Sequence, residues 1–331
     1  MGYLRRLGID GYMMLLVAMV LLGALLPARG MAAEVLHFAT YWAVALLFFV
    51  YGAKLDPASV RAGLLNWRLQ GLTLGATFVL FPVLGLGLAA VFGGVLGPEM
   101  TTGLLFLSLL PSTVQSSIAF TSIAGGNIPA AICAASLSNM VGVVLTPALV
   151  SLVLHRDGGG VSADAVIKIG EQIVLPFVAG QLVRPWIGAF IRRHKLLTMI
   201  VDRGSILLIV YSAFSAGTVA GLWSHVPASR LLLLFGVIAV FLALAFAAMA
   251  AAGRGLRLPG PDRSALFFCG STKSLASGLP IASALFPAAS VGAIILPTMI
   301  YHISQLLLCS IIAQRIARHV QIASPGAAGR G

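Results

Sequence analysis

Apolar runs broken by short polar or glycine-proline stretches set the rhythm of this sequence. They fall near residues 12–27, 36–53, 69–92, 102–123 and 129–154, then near 166–183, 204–222, 230–252, 264–286 and 289–314. Bilayer hydrocarbon is about 30 Å thick, and a helix needs roughly 20 mostly apolar residues to cross it. The pattern therefore predicts an all-α membrane protein of about ten transmembrane helices joined by short loops.

The two groups of five runs resemble each other in order. The first run ends Leu25-Leu26-Pro27-Ala28-Arg29-Gly30 and the sixth contains Val174-Leu175-Pro176-Phe177-Val178-Ala179-Gly180. The fourth carries Ser112-Thr113-Val114-Gln115-Ser116-Ser117, and the ninth carries Ser271-Thr272-Lys273-Ser274-Leu275-Ala276-Ser277-Gly278. An odd number of spans per copy inserts the second copy upside down, the inverted-repeat plan of many carriers. The expected division is a first five-helix repeat over 1–156, an inverted second repeat over 157–319 and a disordered tail over 320–331. Arg5 and Arg6 before the run Tyr12 to Leu26, with Met31-Ala32-Ala33 beyond it, also look like a cleavable signal. The recurring proline motif favours a helix that stays.

Composition agrees with a lipid solvent: 59% of the residues are hydrophobic and 9% charged, and the mean hydropathy is +1.03. The net charge of +12 would suggest nucleic acid in a soluble protein, but these basic residues sit in short loops, where anionic headgroups are the partner. Their distribution orients the chain. Arg5, Arg6, Lys54, Arg61, Arg68, the cluster from Arg184 to Arg203, Arg254 to Arg263 and Arg315 to Arg330 fall on one side, and only Arg29, Arg156, Lys168 and Arg230 on the other. Both ends are thereby cytoplasmic, in a bacterial inner membrane. Trp67, Trp186 and Trp223 fall at span ends as interfacial rings do, whereas Trp42 is deeper. Cys133, Cys269 and Cys309 lie inside apolar runs, which excludes a disulfide framework.

Candidate chemistry gathers in the fourth and ninth spans. Pro111 is followed by hydroxyl or amide side chains at Ser112, Thr113, Gln115, Ser116 and Ser117, and the Ser271 to Ser277 run is followed by Gly278 and Pro280. A helix can be interrupted in hydrocarbon only where protein or a water-filled cavity surrounds the break, and freed carbonyls and half-helix ends there bind ions and anionic groups. Lys273 is the one Lys or Arg in the middle of a span, and an ammonium at helix centre costs about 2.5 to 3.5 kcal/mol on insertion scales. Three readings follow for it: a fixed cation for an anionic substrate, a proton carrier, or a built-in substitute for a bound metal ion. Ser136, Ser138 and Asn139 in the fifth span and His302, Ser304 and Gln305 in the tenth occupy matching places in the two halves. Gly71 and Gly75 form a small-xxx-small pair that predicts helix packing. No catalytic triad order, metal-ligand spacing, Walker loop or dinucleotide fingerprint occurs, so an enzyme is not expected.

The proline and polar break of span four, Gly125-Gly126-Asn127, Leu145-Thr146-Pro147 and Ser277-Gly278-Leu279 resemble the bile acid:sodium symporter family. The Ser271 to Leu275 run with Tyr301, His302 and Gln305 is most similar to its branch of sodium/bile acid cotransporter seven and bacterial relatives, over the chain to about residue 318. The resemblance implies a panel of spans one, two, six and seven against a core of the other six, with the broken fourth and ninth spans crossing in the core. It also implies an organic anion between panel and core, and sodium held by spans four, five and nine. Carried over, Ser116 and Ser117 match the span-four sodium pair, and Ser136, Ser138 and Asn139 fall in the span-five hydroxyl region. With the crossing hydroxyls Ser271, Thr272 and Ser274 these are the expected sodium ligands, and substrate is expected to meet Thr113, Gln115, Lys273, Ser277, His302 and Gln305. The family's sodium-binding glutamate is Ser271 here, its amide pair is Leu275 and Ala276, and Lys273 enters nearby. A lysine repels a neighbouring sodium ion in a low-dielectric interior, so it replaces one ion or leaves fewer sites.

The expected function is secondary symport of a small organic anion, coupled to sodium or protons, with no cofactor beyond a coupling Na+. The rivals are an ion or lipid sensor that moves nothing, and a channel or cation/proton antiporter. The expected partners are the anion and membrane lipids, not nucleic acid, and pairing into a homodimer is left open.

Overall fold

The computed structural model describes residues 11–54, 66–154, 170–221 and 227–323. In lipid a backbone must satisfy its own polar groups, and helices do so within one segment. Every regular element among the described residues is helical: α1 (Gly11–Leu25), α2 (Met31–Lys54), α3 (Trp67–Leu96), α4 (Pro98–Leu109), α5 (Gln115–Ile123), α6 (Ile128–Leu154), α7 (Leu175–Arg193), α8 (Lys195–Val219), α9 (Ala228–Gly255), α10 (Gly260–Ser271), α11 (Leu275–Leu285) and α12 (Ala288–Ala323). A π-helical turn, Gly170–Val174, leads into α7, and another, Ala76–Leu80, interrupts α3. Among the described residues seven helices have the length and apolarity to cross a membrane, namely α2, α3, α6, α7, α8, α9 and α12, and α1 is a shorter apolar helix. These are the proportions of a multi-pass membrane protein.

The predicted fourth and ninth spans are each two helices with extended backbone between them. Leu110, at the end of α4, has φ −75° and ψ 153°. Pro111 explains this locally, because it lacks an N–H and its ring pushes the preceding residue out of the helical region. After α10 the chain turns extended at Thr272, with φ −101° and ψ 150°. Ser274 then caps α11, its hydroxyl accepting from the Ser277 N–H at 3.1 Å.

α2 and α7 cross at backbone contact. A Cβ on Gly52 would lie 2.0 Å from the Phe177 carbonyl oxygen, and one on Gly180 would lie 2.0 Å from that of Phe49. Only hydrogen fits at either position. α1 packs on α8, where the Ala28 N–H donates to Ser215 Oγ at 2.6 Å and Tyr211 Oη donates to the Leu26 carbonyl at 2.9 Å. α3, α4, α9, α10 and α12 form a second group, in which the rings of Phe81, Phe241 and Tyr301 meet with centroids 5.3 to 6.2 Å apart. α8 joins the groups by packing on α11 and α12.

Several sequence expectations need correction. A Cβ on Gly71 or Gly75 would meet nothing within 4 Å, so that glycine pair is not a helix contact. Arg203, placed with the basic residues of a short loop, belongs to α8, which starts at Lys195, as does its neighbour Asp202. α12 runs to Ala323 and so includes the first residues of the expected tail. Arg5, Arg6, Arg61, Arg156, Lys168, Trp223, Arg330 and the rest of the tail lie outside the described residues.

Candidate functional site

Ending a helix inside a bundle releases carbonyls that need partners. Between α4 and α5 every carbonyl from Ser108 to Thr113 has one. Ser108 and Leu110 accept from Lys273 Nζ at 3.0 and 2.6 Å, and Leu109 accepts from Thr146 Oγ1 at 2.8 Å. Pro111 accepts from the Ser274 N–H at 2.9 Å, Ser112 from Asn139 Nδ2 at 2.8 Å and Thr113 from the Ser117 hydroxyl. The sequence of the break and the polar residues of α6 and α10–α11 thus fit one another.

The second break is held in the same way. Cys269 accepts from Ser112 Oγ at 2.6 Å, and Ser271 accepts from Tyr301 Oη at 2.8 Å. Gln305 takes the Lys273 N–H on Oε1 at 2.8 Å and donates from Nε2 to the Lys273 carbonyl at 2.9 Å. The two breaks touch directly, because Thr113 Oγ1 donates to Thr272 Oγ1 at 3.0 Å.

Lys273 is fully buried, and its Nζ donates to a third carbonyl, that of Thr77, at 2.9 Å. This carbonyl is free for a reason written in α3. In the π-helical turn the Phe81 N–H bonds to the Ala76 carbonyl, and the next residue, Pro82, has no N–H to offer Thr77. Three carbonyl acceptors use the three protons of an ammonium. The Phe81 ring centroid lies 4.1 Å from Nζ, in reach of a cation–π contact, and the C-terminal end of α4 adds its negative dipole end.

On the other side of the crossing lies a cavity of about 600 Å³. Leu16, Phe48, Phe120, Met140, Val143 and Ile206 give it an apolar wall, while Thr113, Gln115, Ser116, Ser136, Asn139, Ser274, Ser277 and His302 give it a polar one. Towards the exposed end of α2 it is lined by Tyr12, Tyr51, Lys54, Asp202 and Arg203. Tyr51 Oη donates to Asp202 Oδ1 at 2.8 Å, and the Arg203 guanidinium lies 4.9 Å from the Tyr12 ring centroid.

Of the residues expected to meet substrate, Thr113, Gln115, Ser277 and His302 line this cavity. Lys273 and Gln305 do not: the lysine points to the opposite side of the crossing, and the glutamine is spent on the lysine's backbone. Lys273 is thus behind the cavity wall and not on it. The residues expected to hold sodium also separate. Ser116, Ser136, Asn139 and Ser274 line the cavity, whereas Ser117, Ser138, Ser271 and Thr272 are buried and bonded within the breaks. Sequence reasoning missed Lys54, Asp202 and Arg203 in the cavity, and Thr77 at the lysine. The signal available for Thr77 was Pro82, five residues on.

Two interrupted helices that exchange their freed backbone groups beside a half-polar cavity, in a multi-pass membrane protein, are the build of a transporter. The chain belongs to the SBF-like CPA transporter family, which it matches over residues 10–318. It is 47% identical over 310 residues to the Pseudomonas aeruginosa protein named "Uncharacterized protein PA2026", covering 93% of each chain. It is 43% identical over 313 residues to "Putative symporter YfeH" of Escherichia coli, covering 95% of this chain and 94% of that one. With "Sodium/bile acid cotransporter 7" of Danio rerio the identity is 26% over 325 residues, 96% of each. The resemblance to the bile acid:sodium symporter family stands, and the protein is a transporter, not an enzyme.

Proposed function

We propose that the protein is a secondary active symporter that carries a small organic anion by alternating access, driven by a sodium or proton gradient. It works in the bacterial inner membrane as ten transmembrane segments with both ends cytoplasmic. The observation that carries the reading is the half-polar cavity beside the facing breaks. Its size suits a drug-sized ligand. Thr113, Gln115, Ser277 and His302 hydrogen-bond the substrate's polar end, Lys54 and Arg203 attract its charge, and the apolar wall takes its body. A coupling ion uses the hydroxyl and amide wall at Ser116, Ser136, Asn139 and Ser274.

The packing supports two inverted five-segment repeats. α1 packs on α8 as α7 packs on α2, α3 on α4 as α9 on α10, α4 on α12 as α10 on α6, and α5 on α6 as α11 on α12. The contacts between the group of α1, α2, α7 and α8 and the remainder break this correspondence. α8 packs on α11 and α12, but among the described residues α2 has no comparable packing on α5 and α6, and the cavity occupies that gap. In this reading α1, α2, α7 and α8 are the panel, the others are the core, and the arrangement is open towards the cytoplasmic ends Lys54 and Arg203. Rocking the core would close that gap and open its repeat-related counterpart. The relatives' names, a symporter and a sodium/bile acid cotransporter, agree with symport of an organic anion.

The test is uptake into proteoliposomes of a panel of radiolabelled carboxylates and sulfonates with small to steroid-sized bodies, under an inward sodium or proton gradient. Accumulation of at least one anion above equilibrium is expected. Saturable binding with no accumulation under either gradient would make the protein a sensor instead.

A further inference from the structure

We infer that the crossing of the two breaks carries a resident cation, the Lys273 ammonium, in a three-carbonyl site formed by Thr77, Ser108 and Leu110, and that no sodium ion binds there. The inference rests on the proposed symport and takes this crossing out of the places where a coupling sodium ion could sit, leaving the cavity wall at Ser116, Ser136, Asn139 and Ser274. Its basis is convergence. Three carbonyl oxygens from two different helices point at one atom, at distances of 2.6, 2.9 and 3.0 Å, in a site with no solvent exposure. Two of them are orphans of the α4 terminus, and the third is released by a π-helical turn before a proline. An oxygen cage at a helix C-terminus with an aromatic face behind it would suit any small monovalent cation. Here the cation is covalently attached, so it cannot leave with the substrate.

The remaining polar groups of the breaks point the same way. The Ser271 and Thr272 hydroxyls donate to carbonyls of α10, the Ser117 hydroxyl donates to the Thr113 carbonyl of the break, and the Ser138 hydroxyl accepts the Ser112 N–H at 3.0 Å. Asn139 divides its amide among the Ser112 carbonyl, the Ala135 carbonyl and the Ser277 hydroxyl. These oxygens are turned to separate partners and do not converge on a second point. Among the described residues no group of three or more His, Cys, Asp or Glu side chains is placed to hold a metal ion.

The test needs no knowledge of the substrate. Thermal unfolding of purified full-length protein is followed in choline chloride, sodium chloride and propylammonium chloride, for wild type and for K273A. Wild type is expected to gain nothing from propylammonium, and any sodium stabilisation it shows, from the cavity wall, is expected to persist in K273A. K273A is expected to be markedly less stable in choline and to regain much of the loss with sodium or propylammonium, which enter the emptied cage. A K273A protein indifferent to both cations would overturn the site. A saturable sodium stabilisation of wild type that K273A abolishes would overturn the substitution, because sodium would then bind with the lysine and not in its place. If K273A does not accumulate, K273S, whose short side chain also leaves the cage open, takes its place in the same three salts. Absence of anion uptake would refute the proposed symport while leaving these outcomes readable.

Discussion

Gln305 grips Lys273 by its peptide groups, accepting the N–H at 2.8 Å and donating to the carbonyl at 2.9 Å. The same Nε2 lies 2.9 Å from His302 Nδ1, so α12 connects the cavity-lining histidine with the backbone of the α10–α11 break. The Lys273 N–H depends on this one side chain, while the carbonyl also has His302 Nδ1 at 3.4 Å. Q305A leaves the N–H buried without its partner, at about 1 to 3 kcal/mol, and the carbonyl with the long histidine contact alone. The expected result is a lower unfolding temperature in detergent and loss of anion uptake in proteoliposomes.

Thr77 gives the opposite prediction. Its carbonyl binds Lys273, but its buried hydroxyl has no hydrogen-bond partner among the described residues. T77V keeps the branched shape and the carbonyl, so no bond is lost. Stability within about 1 kcal/mol of wild type and unchanged uptake are expected from thermal unfolding and transport assays.

The crossing of α2 and α7 has no room for a methyl group on either side, as Gly52 and Gly180 each face the other helix's backbone. Overpacking costs about 1 to 3 kcal/mol where side chains can yield, and backbone yields less. G52A and G180A are therefore expected to lower the monodisperse yield and the unfolding temperature. G71A, at an open position, should leave both near wild type.

Arg203 and Lys54 place positive charge at the end of the cavity nearest the exposed terminus of α2. Charges at the edge of a binding surface act mainly on encounter rate and salt dependence. R203Q and K54Q are expected to raise the KM for an anionic substrate severalfold with little change in kcat. The difference from wild type should shrink as ionic strength rises. Uptake measured at low and high salt checks both parts.

Much of this site was legible in the sequence because lipid punishes exceptions. Pro111 with its run of hydroxyls, and Lys273 within an apolar run, have no place in an uninterrupted span, so breaks at those positions could be read directly. The direction of Lys273 could not be. It depends on Thr77, whose carbonyl is released by a hydrogen-bond shift within α3 that leaves only Pro82 as a trace. Asp202 and Arg203 were hidden for a different reason: charge reads as loop, yet inside a bundle it can equally line a cavity. The tight crossing sits at Gly52 and Gly180, which are far apart in the chain. Gly71 and Gly75 have the familiar spacing, but among the described residues nothing lies within 4 Å of where a Cβ would stand.

Accessibility of residue 136 tests alternating access most directly. Ser136 is partly exposed on the cavity wall, whereas the native Cys133, Cys269 and Cys309 are buried. S136C, labelled with a membrane-impermeant thiol reagent in oriented vesicles, should react from the cytoplasmic face in the arrangement described here. When gradient and substrate reverse the bias it should react from the opposite face, and never from both at once. Reaction from both faces together would describe a pore, and reaction from one face under every condition would describe a binding protein that does not transport.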